Sequence, residues 1–318
     1  MVATASGSDN AAPQRVGEAL ERVHGALRDS PACYGHGTDN PWDEAVQLLL
    51  AALQAPPAAD ASLLGAPLAP AQWRAISALL ERRLRERQPL AYLTGETCFA
   101  GLRFRCDRRA LVPRSPLAEL IESGYAPWWR GPAPRRILDL CCGGGCIGIA
   151  AAHYGDGAAV TLADIDGEAL ALARENIALH GLGARIACCR SDLFDDLPPG
   201  RFDLILCNPP YVDAGDLAAM PAEFQAEPRH ALAAGEDGLD LALCILGDAA
   251  ERIAAAALLL LELGNSWEAL DRLCSDLPLT WAEFARGGHG VLVAQARELA
   301  DWQPQLRRLA SGRRRVGV

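Results

Sequence analysis

Arg136-Ile-Leu-Asp-Leu-Cys-Cys-Gly-Gly-Gly-Cys-Ile-Gly148 passes from a short apolar run into three consecutive glycines and then into a helical pattern over 146–153. A buried strand that ends on glycines lets the backbone approach a ligand closely, and the first turn of the following helix offers unpaired N–H groups. Gly143-x-Gly145-x-x-Gly148 also fits the dinucleotide fingerprint, so a nicotinamide dehydrogenase has to be weighed. Asp139, directly before the glycines, counts against it. A carboxylate there repels a pyrophosphate and favours a ligand carrying an ammonium and a sulfonium.

Outward from this stretch, apolar runs of strand length alternate with helical patterns. The strand-like runs are 136–140, 160–163, 185–189, 202–207 and 258–263, and the helical ones are 146–153, 168–180 and 239–253. That alternation predicts an α/β fold with a parallel sheet covered on both faces. Asp164 closes the second strand, where a carboxylate can accept hydrogen bonds from ribose hydroxyls. Asp192, in Ser191-Asp-Leu-Phe194 after the third strand, can receive an adenine amino group, whereas Asp166 reads as the cap of the helix that begins near Glu168. The fourth strand runs directly into Asn208-Pro-Pro-Tyr211 at its carboxyl end, where open α/β sheets place their sites. Two prolines in succession fix the chain and remove two N–H donors, leaving carbonyls as acceptors. Joined to this strand and glycine loop, the tetrapeptide points to methyl transfer to a planar nitrogen.

Before this half, helical patterns occupy 14–28, 42–53 and 71–87, with Trp42 and Trp73 read as core residues. Residues 1–13 are small and polar and are expected to be disordered, and 92–115, punctuated by Gly95 and Gly101, reads as a β-hairpin linker. The expected organisation is therefore a helical domain over 14–91, the linker, a catalytic domain over 116–300 and a basic tail over 301–318.

Thirty basic against forty acidic side chains give a formal charge of −10, which disfavours a polyanionic partner bound over a broad surface. A basic protein partner suits the charge better, and direct nucleic-acid binding is expected only through Arg307, Arg308 and Arg313 to Arg315, if at all. No signal-peptide pattern opens the chain and no long apolar run occurs, so a cytoplasmic protein that does not enter membranes is expected. The eleven cysteines contain no Cys-x-x-Cys pair and the six histidines are scattered, so no metal site and no disulfide framework is expected.

From about Gln88 to Arg297 the chain resembles the HemK-like glutamine methyltransferases. The likeness is carried by Pro89-Leu-Ala-Tyr-Leu-Thr-Gly95, Leu111-Val-Pro-Arg-Ser-Pro116, the glycine loop, Asn208-Pro-Pro-Tyr-Val-Asp213, Glu227-Pro228 and Leu263-Gly-Asn-Ser266. The Val-Pro-Arg-Ser-Pro version resembles the branch that modifies large-subunit ribosomal protein L-three more than the release-factor branch. The resemblance implies a class I, Rossmann-like domain with a mostly parallel seven-stranded sheet behind a small helical domain that selects the protein substrate. It also implies S-adenosylmethionine as cofactor, bound by Asp139, Gly143, Gly145, Asp164, Asp192 and Asn208. Asn208, Pro209 and Tyr211 are the implied catalytic residues, and Pro210 and Arg114 join them in holding a glutamine side chain.

Two departures stand out. Cys142 and Gly144 replace hydroxyl residues of the glycine loop, and Ala254 to Ala257 replaces a polar turn before the fifth strand. Rival readings are an N(6)-adenine methyltransferase acting on DNA or RNA, a release-factor methyltransferase and a cofactor-binding protein without catalysis. The acidic charge and the lack of a basic, aromatic-rich recognition region count against the first, and the intact tetrapeptide against the last.

Overall fold

A computed structural model describes residues 11–56 and 59–313, so most of the N-terminal stretch expected to be disordered lies outside the described residues, as do Arg314 and Arg315. The chain divides into two compact units, one comprising 1–94 with 222–226, the other 95–221 with 227–318.

The first unit is helical: α1 (Val16–Arg28), α2 (Pro41–Leu53), α3 (Pro70–Glu86) and the short α4 (Leu90–Thr94). Asn40 caps α2 by accepting the Asp43 N–H, and Pro41 stands in its first turn, where no hydrogen bond is lost. Val16, Leu20, Val23 and Leu27 form the buried stripe of α1 and pack with Leu48, Leu49 and Ile76. Trp42 departs from expectation. It is 41% exposed, its ring set edge-on to His24 of α1, whereas Trp73 is partly buried on the core.

At the centre of this unit the fully buried Arg83 donates to Glu44 at 2.6 Å, to Glu223 at 3.0 Å and to the Cys33 carbonyl at 2.8 Å. Glu223 also receives Arg87 and the Cys33 N–H. Burial alone would raise its carboxyl, but these donors hold it down at about 2. Charges this deep are tolerated only when fully paired.

The second unit opens with a hairpin, β1 (Glu96–Phe99) and β2 (Leu102–Arg105), turned through Ala100 and Gly101, both at positive φ, as a two-residue hairpin turn demands. The first residues of the expected linker are not part of it, since α4 covers 90–94. Then follow α5 (Leu117–Glu122), β3 (Arg136–Leu140), α6 (Cys146–Tyr154), β4 (Ala159–Asp164), α7 (Gly167–Leu179), β5 (Ile186–Arg190) and β6 (Phe202–Cys207). After α8 (Ala214–Ala219) the chain gives α9 (Ala222–Gln225) to the first unit, and the second unit resumes with α10 (Asp240–Arg252), β7 (Ile253–Glu262), α11 (Trp267–Leu273), β8 (Val291–Gln295) and α12 (Ala296–Ala310).

The main sheet runs β5-β4-β3-β6-β7-β8, parallel except for β8. Alternate residues face opposite sides: Leu138, Leu140, Ile205 and Leu259 pack beneath α10 and α12, while Ile137, Leu162, Leu204 and Leu260 pack against α5, α6 and α7. Among the described residues six strands form this sheet rather than the expected seven. The seventh place, beside β8, is taken by 280–282, which makes one bridge, Trp281 to Leu292; Pro278 just upstream has no N–H with which to lengthen the pairing. Ala254 to Ala257 lie within β7 itself, and the irregularity falls in the register, with Phe202 opposite Ile253 but Leu204 opposite Leu258.

The expected basic tail is corrected as well. Residues 296–310 are one helix, and its Leu299, Trp302 and Leu306 are buried against the core. Gly247 of α10 lets Arg307 approach and donate to the Gly247 carbonyl, Asp248 and Glu251, while Arg313 engages Asp237 and Asp240. These arginines are therefore bound to acids of the chain itself. Trp302→Ala is expected to destabilise the protein by about 3–5 kcal/mol in urea unfolding. A change of a few tenths of a kcal/mol would show that α12 is detached in solution.

Candidate active site

The strand order reverses between β3 and β6. From β3 the chain moves to β4 and β5 on one side, then returns to pair β6 on the other, Leu140 facing both Ala163 and Cys207. The glycine loop and Asn208-Pro-Pro-Tyr211 consequently leave the sheet side by side at its carboxyl edge, the position at which open α/β folds bind ligands.

Asp139 sits within β3, fully buried. Its Oδ2 accepts the Gly148 N–H at 2.7 Å, and its Oδ1 has no partner among the described residues. Burial, reinforced by Asp164, pushes this carboxyl up to about 8 against the pull of the Gly148 bond. Gly148 is required here: a Cβ would stand 2.2 Å from Leu162 and 2.9 Å from Asp139. Gly145 precedes α6 at φ +81, and a side chain on it would press into Leu162 at 2.8 Å. The replacement at 144 has a local reason too, since a Cβ would lie 3.3 Å from Leu172. The buried Asn176 of α7 braces the loop by donating to the Gly144 carbonyl at 3.0 Å and exchanging hydrogen bonds with the backbone of Arg105.

Asp164 ends β4 and accepts from Gly143 N at 2.8 Å and Asp166 N at 2.9 Å. Burial raises its carboxyl above the usual range despite those two bonds. Asp166 caps α7 through the Glu168 N–H and meets His230 at 3.0 Å. Asp192 lies just beyond β5, partly buried. Three of the singled-out acids therefore stand at the carboxyl ends of three adjacent strands.

On the other side of the switch, Asn208 is partly exposed, and its side-chain amide has no hydrogen-bond partner among the described residues. Pro209 is buried and Pro210 partly so. Tyr211 is gripped on three sides. Its carbonyl accepts Ser266 Oγ at 2.6 Å, its hydroxyl donates to Glu262 at 3.2 Å, and its ring lies where a Cβ on Gly264 would be 2.5 Å away. Burial and the neighbouring Glu262 push its phenol well above the usual range.

Arg114 was expected to hold substrate. Its fork grips Glu227, Nη1 at 2.7 Å and Nη2 at 2.8 Å, and Glu227 also receives the Val112 N–H. Glu227, Glu262, Ser115, Ser266 and Asn176 escaped the sequence reading as site residues. Glu227-Pro228 and Leu263-Gly-Asn-Ser266 stood out as motifs, but nothing local joins Glu227 to Arg114.

The Methyltransferase small domain family matches residues 130–237, and the PrmC N-terminal domain family matches residues 32–95. The fold is that of a class I methyltransferase. Three curated relatives are each named ribosomal protein uL3 glutamine methyltransferase. That of Francisella tularensis is 43% identical over 85% of this chain and 86% of its own. That of Xanthomonas campestris is 45% identical over 88% and 91%, and that of Xylella fastidiosa 44% identical over 91% and 93%. Among solved structures a methyltransferase from Pyrococcus furiosus is similar at 18% identity and a TM-score of 0.44, over 61% of this chain and 88% of that one. The chain belongs to the ribosomal protein uL3 glutamine methyltransferase family.

A carboxyl raised in the folded state binds its proton more tightly there than in the unfolded chain. Asp139 therefore favours folding at low pH and withdraws that stability as pH rises from about 4 towards about 8. Asp139→Asn is expected to gain stability relative to the parent between pH 5 and pH 8.5 in urea unfolding. An unchanged difference across that range would mean that Asp139 is ionised in the folded protein.

Proposed function

We propose that the chain transfers a methyl group from S-adenosylmethionine to the side-chain amide nitrogen of a glutamine in ribosomal protein uL3. The products are N(5)-methylglutamine and S-adenosylhomocysteine. The observation that carries the reading is the departure of Asn208-Pro-Pro-Tyr211 from β6 directly beside the glycine loop of β3.

The residues present fit that donor. Asp139 keeps one buried oxygen without a partner, suited to a cationic group, and Gly143 and Gly145 at positive φ open the loop backbone. Asp164 would hold the ribose, Asp192 the adenine edge and Asp139 the amino-acid end. When bound, the donor supplies an electrophilic methyl group on a sulfonium.

The chain's own task is orientation, because an amide nitrogen shares its lone pair with the carbonyl and is a poor nucleophile. The Asn208 side-chain oxygen and the Pro209 carbonyl would each accept one N–H of the glutamine amide. That fixes the nitrogen and stabilises positive charge as it develops there. Pro210 keeps this stretch extended and Tyr211 packs over the amide plane. Arg114 joins them on the substrate side and, through Glu227, also holds the Val112 segment. The proton shed by the nitrogen passes to a carbonyl or to water, so no strong base is needed.

The helical unit is assigned to substrate selection, and the exposed Trp42 supports it. Trp42→Ala should raise KM for uL3 and leave kcat unchanged. An unchanged KM would remove Trp42 from the docking surface.

Asp164→Ala should weaken S-adenosylhomocysteine binding by about 1–3 kcal/mol in calorimetry, through the lost ribose acceptor and the released Gly143. Affinity equal to the parent's would displace the ribose from β4. Asn208→Ala should keep most of its affinity for that product yet lose on the order of 100-fold or more in single-turnover methyl transfer to uL3. Near-parental transfer would make the tetrapeptide a structural turn.

A further inference from the structure

Glu262 is the last residue of β7, 5% exposed, and among the described residues its carboxylate has two side-chain partners. Ser115 Oγ donates to Oε2, and the Tyr211 hydroxyl donates to Oε1 at 3.2 Å. Ser115 is itself fixed at the start of α5, where it accepts the Leu117 N–H at 3.2 Å. Leu258 to Leu261, which precede Glu262 in β7, are fully apolar. Burying a carboxylate at the end of such a strand is unfavourable, and an aliphatic side chain packs there at least as well. Stability of the sheet therefore does not explain Glu262, whereas its two partners do.

We propose that Glu262, held by Ser115, is a positioning residue for methyl transfer that acts through Tyr211. The inference rests on the reading above that the Tyr211 ring packs over the glutamine amide. A phenol tethered at its hydroxyl, with its carbonyl on Ser266 and its ring against Gly264, keeps a single orientation. Donation to a carboxylate also makes the ring more electron-rich, and its face then attracts the positive charge that develops on the amide nitrogen. Burial raises the Glu262 carboxyl, while Ser115, Tyr211 and Arg114 oppose that rise. The charges facing it are Arg114 and, through Arg114, Glu227.

The test compares Glu262→Leu, Glu262→Gln, Tyr211→Phe and the double variant Tyr211→Phe/Glu262→Leu. Single-turnover methyl transfer to uL3 is read beside product affinity. Leucine removes the anchor without leaving a buried charge. Glu262→Leu and Tyr211→Phe should each slow transfer by about 10-fold, the double variant should be no slower than either, and Glu262→Gln should fall between Glu262→Leu and the parent. Product affinity should stay within about twofold. Parental rates in Glu262→Leu, or losses that multiply in the double variant, would overturn the proposal.

A second readout needs neither donor nor substrate. With ring-labelled tyrosine, only five of which occur in the chain, the Tyr211 resonance should be single and sharp in the parent and broadened in Glu262→Leu. An unaltered resonance would also overturn the proposal. A parent that leaves uL3 unmodified would instead remove the proposed substrate, and the resonance would still decide whether Glu262 orders Tyr211.

Discussion

The parallel pairing of Leu140 with Cys207 is the constraint from which the site follows. Because β3 lies between β4 and β6, two loops distant in the chain emerge at one sheet edge, and neither is complete without the other. The glycine loop is shaped to that edge by close approach. Gly148 lies over Asp139 and Leu162, and Gly145 over Leu162 and Ala173, so the helix behind the loop can begin only where side chains are absent. The same closeness buries Asp139, which among the described residues keeps a single hydrogen bond, the opening the proposed function assigns to the donor's cationic end.

Around the tetrapeptide the chain uses buried carboxylates as fixing points. Glu227 takes the Arg114 fork and the Val112 N–H, and Glu262 takes Ser115 and Tyr211. Each carboxylate loses hydration on burial, and each recovers it from donors on elements far apart in sequence. In the proposed function these bonds fix the substrate side before substrate arrives, which suits a reaction whose acceleration comes from orientation and fixed dipoles. In the helical unit Glu223 follows the same rule with Arg83 and Arg87.

Local pattern carried most of the fold. The runs 136–140 and 202–207 coincide with β3 and β6 because buried parallel strands are continuously apolar and end at glycine or proline. Asp166 was legible as a cap for a similarly local reason. Composition misled at the C-terminus, where arginines suggested a tail. The spacing of Leu299, Trp302 and Leu306 was already that of a buried helix face, and Arg307 pairs with α10. Trp42 failed in the opposite direction, since helical spacing gives a face but not whether anything covers it. Arg114 with Glu227, and Tyr211 with Glu262, were beyond reach because such pairs exist only once the sheet has assembled.

If this sheet edge brings a methyl donor to a glutamine amide of uL3, the product carries the methyl group on that side chain. The most direct test is tandem mass spectrometry of purified uL3 incubated with the enzyme and isotopically labelled S-adenosylmethionine. One labelled methyl group is expected, on the side-chain nitrogen of a single glutamine. Unlabelled uL3, or label on a residue other than glutamine, would contradict it.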